Sequence, residues 1–129
     1  MFRVVIAGSR VFDNYELLAH KMDYFLSETR QPVTVLCGLA EGADKLGLRY
    51  ARDRKFNVEY YPADWQRFGR SAGMRRNAEM AENADALVAF WDGKSRGTLN
   101  MITVAKTKGL KVRVVRYDLE PQLVKDSYA

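Results

Sequence analysis

Apolar residues along the chain follow two alternating periods. Short runs rich in β-branched residues, each ended by glycine, proline or a polar residue, read as strands, and between them apolar positions return every third or fourth residue, as on a helix face. Val4, Val5 and Ile6 open the first run, "FRVVIAG", which stops at Gly8. Leu18, Met22, Phe25 and Leu26 then recur at helical spacing. Asp13, with Glu16 three positions on, has the form of a capping box, so the first helix is expected to run from there to about Thr29. "PVTVLCG" (32–38) is a second strand and 42–55 a second helix, with Ala43, Leu46, Gly47, Tyr50 and Ala51 facing inward. Gly47 costs that helix roughly 1 kcal/mol of propensity, so its expected use is close approach of helix to sheet. "FNVEYYP" (56–62) is a third strand, ended by Pro62.

The stretch "ADWQRFGRSAG" shows no period and reads as irregular. A helix follows from about Met74 to Ala84, with Met74, Asn77, Ala78, Ala81 and Ala84 on one face. "DALVAFW" (85–91) is a fourth strand, and Thr98 to Lys108 a fourth helix with Gly109 at its C′ position. "LKVRVVRY" (110–117) is a fifth strand, and from Asp118 onward no period is visible. Five strands alternating with four helices over short connections give an α/β fold: a three-layer sandwich whose parallel sheet has the order 3-2-1-4-5, with helices on both faces. Residues 1–129 contain no repeat, low-complexity segment or linker, so one domain is expected.

Composition narrows the function classes. One cysteine, Cys37, excludes an internal disulfide, and one histidine, His20, leaves no Cys/His cluster for zinc. Cys37 reads as a small buried hydrophobe and His20 as solvated; neither supports a nucleophilic mechanism. No metal and no cofactor are expected. The chain has no leader-like N-terminus and no apolar run near the roughly 18 residues of a bilayer span, so a cytoplasmic protein with no membrane partner is expected. The net charge of +5 favours anionic partners, and Arg10, Arg67, Arg70, Arg75, Arg76 and Arg96 fall in expected loops, where they suit phosphates of a small ligand or a nucleic acid.

In a sheet of this order, ligands bind beyond the carboxyl ends of the strands, where the strand order reverses between the first and fourth strands. The loops that meet there are "GSR" (8–10), "GLAEGAD" (38–44), 63–77 and "DGKSRGT" (92–98). Gly93, Lys94 and Ser95 spell the end of a P-loop, but its first glycine falls on Val88 within an apolar run. The dinucleotide fingerprint fails as well, because Arg10 and Asp13 stand where its second and third glycines belong. What remains is an anion pocket of glycines, hydroxyls and guanidiniums at helix starts. The candidate ligand-binding residues are Gly8, Ser9, Arg10, Gly38, Arg75, Asn77, Gly93, Ser95, Arg96, Gly97 and Thr98. Ser95 and Thr98 serve equally well as helix caps. Glu41 and Asp44 are the candidate catalytic carboxylates, Asp44 having the alternative of satisfying its helix's first turn. Asn77 is a polar side chain aimed at the sheet and needs a partner there. Arg75 faces away, within reach of Glu79, and Trp65 is expected to plug the core rather than to stack on a base.

Taken in order, "GSR", "GLAEGAD", "ADWQRFGRSAGMRRNAEM" and "DGKSRGT" resemble the YspA-like, cpYpsA-related branch of the SLOG superfamily over nearly the whole chain to about Arg116. Relatives of this kind occur in bacteria and bacteriophages. The resemblance implies a Rossmann-like fold and a nucleotide or nucleotide-derived ligand, such as a nucleoside phosphate or an ADP-ribose-like molecule. It also implies two alternatives: a nucleoside-phosphate N-glycosidase like the Lonely Guy phosphoribohydrolases, and single-stranded DNA binding like DprA through the basic loops and Trp65. "GKSRGT" is similar to the phosphoribohydrolase loop "PGGxGT", but lacks the proline and one glycine. Asn100 and Met101 stand where those enzymes carry a glutamate, which weighs binding above hydrolysis. Self-association into a homo-oligomer is a further expectation, with Tyr15, Tyr24 and Phe68 as candidate contacts.

Overall fold

The computed structural model describes residues 1–119. Its elements in chain order are β1 (Phe2–Gly8), α1 (Tyr15–Phe25), β2 (Val33–Cys37), α2 (Ala43–Asp53), β3 (Asn57–Tyr60), α3 (Trp65–Phe68), α4 (Ala72–Asn83), β4 (Ala86–Trp91), α5 (Arg96–Thr107) and β5 (Lys111–Arg116). All five strands are parallel, in the order β3-β2-β1-β4-β5. This is the expected doubly wound, Rossmann-like sandwich. Residues 120–129, which complete the expected single domain and its aperiodic tail, lie outside the described residues.

Successive residues of a strand point to opposite faces, and β1 shows what that does here. Val4 and Ile6 join α1 and α2 in one core with Leu18, Met22 and Tyr50, while Val5 and Ala7 join α4 and α5 in the other with Met80, Met101 and Ala105. A strand buried on both sides reads as a continuous apolar run, which is why β1, β2 and β4 are visible in the sequence. Gly47 lets α2 settle on the sheet: a Cβ there would lie 2.8 Å from Cγ2 of Ile6.

Several boundaries differ from expectation for local reasons. The cap of α1 is Asn14, whose side chain accepts from the Leu17 N–H at 3.1 Å, so the apparent Asp13–Glu16 capping box is one residue out of register; the helix ends at Phe25, not Thr29. The "irregular" stretch after β3 is ordered. Asp64 accepts from the Arg67 N–H at 3.0 Å and starts the single turn of α3, a 3₁₀ turn (Gly69–Ser71) follows, and α4 begins at Ala72, two residues before Met74. Along α4 the buried residues are Ala72, Asn77, Met80 and Ala81, while Met74 is 59% exposed and lines the cavity described below. Ser95 starts α5 at Arg96 rather than Thr98. Its other end closes as expected, with Gly109 at φ +78° and the Gly109 and Leu110 N–H groups donating to Lys106 and Ala105 carbonyls. No helix among the described residues is long and apolar enough to cross a membrane.

Candidate functional site

Because β1 sends its chain to one face of the sheet and β4 to the other, a crevice opens above their carboxyl ends. It is a cavity of about 480 Å³. Its floor is the β1 turn. The Ser9 N–H donates to the Phe90 carbonyl at 3.0 Å, Ser9 Oγ accepts from the Asp92 N–H at 3.2 Å, and the Ser9 carbonyl accepts from Ala43 at the start of α2. Such close backbone contact excludes side chains. A Cβ on Gly8 would lie 2.2 Å from the Phe90 carbonyl oxygen, and one on Gly42, which has φ +73°, 2.3 Å from that of Ser9.

One wall is the β4–α5 connection. Asp92 accepts from the Lys94 and Ser95 N–H groups at 2.9 and 2.8 Å, bonds that hold its carboxyl below the ordinary range. Trp91 Nε1 donates to the Ser95 carbonyl at 3.0 Å, and Ser95 Oγ lies 3.0 Å from Thr98 Oγ1. Ser95 is therefore a helix cap and a cavity residue at once. Gly97, in the first turn of α5, also lines the cavity. A Cβ there would meet no heavy atom within 4 Å, so the fold itself gives no reason for glycine at this position.

The opposite wall comes from α2 and α4. Buried Asn77 has the partners its position demands: its amide donates to Asn100 at 2.9 Å and to the Gly97 carbonyl at 3.4 Å, and its oxygen accepts from Arg76 Nε at 3.0 Å. Arg76 also donates to the Gly38 carbonyl. Asp44, only 6% exposed, accepts from the Ala40 N–H at 3.1 Å. Burial pushes its carboxyl up to about 6, although that N–H and the charges of Arg76 and Arg10 pull the other way. A carboxyl poised near neutrality beside a cavity can hold or release a proton there.

Eight of the expected residues thus share one cavity: Gly8, Ser9, Arg10, Asp44, Asn77, Ser95, Gly97 and Thr98. The other five do not line it. Gly38 lies behind, its carbonyl taken by Arg76. Glu41 is exposed and pairs with Lys45 at 2.6 Å, so the second carboxylate candidate is on the outside. Arg75 donates to Ser71 at 3.1 Å and covers the Phe68 ring instead of reaching Glu79 or the cavity. Gly93 turns at φ +78° beneath the Arg116 guanidinium, and Arg96 is exposed. In their place the cavity has Arg70, Arg76, Asp92, Trp65 and Met74. Arg70 and Arg76 are two of the six arginines that the sequence suits to phosphates; Arg76 stands on α4, one turn before buried Met80. Trp65 is a correction: it is 52% exposed on the cavity wall, not in the core. Cys37 is buried, its thiol raised mainly by burial, and His20 is exposed.

Comparison with known proteins adds two findings. The model of the "YspA, cpYpsA-related SLOG family" matches residues 2–68, from β1 through α3. The chain is also similar to the "Gene 61 protein" of Mycobacterium phage D29, 36% identical over 118 residues, covering 87% of this chain and 94% of that protein. No solved structure matches.

Proposed function

This chain belongs to the YspA, cpYpsA-related SLOG family, and from that premise we propose that its cavity binds a nucleotide-derived ligand, with the phosphate at the first turn of α5. Membership in the family points to nucleotide-related ligands in general. Gly97 carries the more specific reading. The first-turn N–H groups of a helix lack intrahelical acceptors and bear partial positive charge, and a glycine there lets an anion reach them. The glycine costs the helix up to about 1 kcal/mol. A bound phosphate supplies the reason for it that the packing does not. Arg10, Arg70 and Arg76 surround the same cavity, so several cations face the anion.

The test is calorimetry against nucleoside monophosphates, ADP-ribose and cyclic nucleotides, with Gly97→Ala beside the natural chain. The variant is expected to lose roughly tenfold or more in affinity, about 1.4 kcal/mol, while its unfolding midpoint stays or rises. An empty panel, or full affinity in Gly97→Ala, overturns the proposal.

Asp44 favours a second reading, cleavage of the N-glycosidic bond. Its carboxyl would protonate the departing base or, once ionised, stabilise the oxocarbenium-like ribose carbon that water then attacks. Water's hydroxyl ends on the ribose; its proton restores the Asp44 carboxyl where Asp44 has protonated the base, and passes to the base where Asp44 stays ionised. Free base released by the natural chain, lost in Asp44→Asn and kept in Glu41→Gln, is the expected pattern. Unchanged nucleotide after long incubation rejects it.

A further inference from the structure

Two large apolar side chains stand exposed on the cavity wall, Trp65 at 52% and Met74 at 59%. Leaving such groups in water forgoes burial worth a few kcal/mol. Their support is nevertheless ordered. Asp64 caps the turn that carries Trp65, and at the end of that turn the Phe68 ring lies against the guanidiniums of Arg67 and Arg75, 4.9 and 4.3 Å from its centroid. Ser71 Oγ donates to the Phe68 carbonyl at 2.9 Å and accepts from Arg75. The indole edge lies over Gly73, where a Cβ would sit in ordinary van der Waals contact at 3.4 Å.

The position of this wall fits one chemistry. Gly73 and Met74 precede Asn77 by four and three residues on α4, and Asn77 is tied to the Gly97 carbonyl. Gly73, beneath the indole, and Met74 therefore stand about one helical turn, roughly 5 Å, along α4 from the residue that reaches the α5 terminus, and Trp65, Met74 and Gly97 line one cavity. We propose that Trp65 and Met74 form a base-stacking subsite, so that the cavity holds phosphate and base together and selects a nucleoside phosphate over a sugar phosphate. The inference rests on the phosphate reading of the α5 terminus given above. An indole face and a polarisable sulfur suit the π-face of any base, whereas a sugar phosphate offers them nothing flat.

The experiment titrates the full chain with nucleoside monophosphates and with ribose 5-phosphate. The nucleotides are expected to bind roughly 5- to 100-fold more tightly, the range a base–aromatic stack carries, and to quench tryptophan emission. Trp65→Ala should bring them down to the affinity of ribose 5-phosphate, leave that ligand within about twofold, and melt as the natural chain does. Trp65→Phe should keep most of the preference but lose the quench, since Trp91 remains. Equal binding of both ligand classes, or a preference untouched by Trp65→Ala, overturns the stacking subsite while the phosphate site stands. Failure of both ligands to bind overturns the phosphate site and the subsite with it.

Discussion

Asp44 shows how one residue couples stability to the site. Its carboxyl is raised from 3.8 to about 6, chiefly by burial, so ionising it penalises the folded state. Below 3.8 the group is protonated in both states and the penalty is absent; it grows as pH rises and is complete above about 6. Asp44→Asn removes the charge and keeps an acceptor for the Ala40 N–H. The variant's stability advantage should therefore be small near pH 4, grow towards pH 7 to at most about 3 kcal/mol, at about 1.4 kcal/mol per unit, and then level off. Denaturant melts of the two proteins across that range check it, and a difference independent of pH contradicts it. The pattern of polar residues was partly legible here. Asn77 announced itself as a polar side chain on an apolar face, but the burial of Asp44 depends on the loop from Gly38 folding over it, which no local period encodes.

At the scale of elements, caps decide where helices begin. Asn14, Asp64 and Ser95 each accept from an N–H three residues on. The strands and their order were readable, because the central β1, β2 and β4, buried on both faces, write themselves as apolar runs and the edge strands β3 and β5 as alternation. A single-turn helix has no period to read, so α3 could be found only through Asp64. Its position matters because it carries Trp65 to the cavity. Asp64→Ala should cost about 1 kcal/mol, confined to this turn. Hydrogen exchange is expected to quicken at Arg67 and Phe68 while the amides of β1 and β4 keep their protection. Uniform quickening across the chain would show that α3 is not a separate local unit.

At the scale of the whole molecule, the reversal of strand order brings distant segments to one rim. The end of β1, the start of α2, the α3–α4 corner and the β4–α5 connection all line the same cavity. The strand order implied this convergence before any side chain was placed. Which arginines take part was not implied, because Arg75 and Arg76 are neighbours in sequence and point to different surroundings. The central claim is that these segments hold one anionic ligand together. Backbone amide NMR during titration with a nucleoside monophosphate tests it most directly: the amides of Ser9, Arg10, Gly97 and Thr98 should shift together along a single binding curve. Shifts confined to one of the two segments, or absent from both, would contradict it.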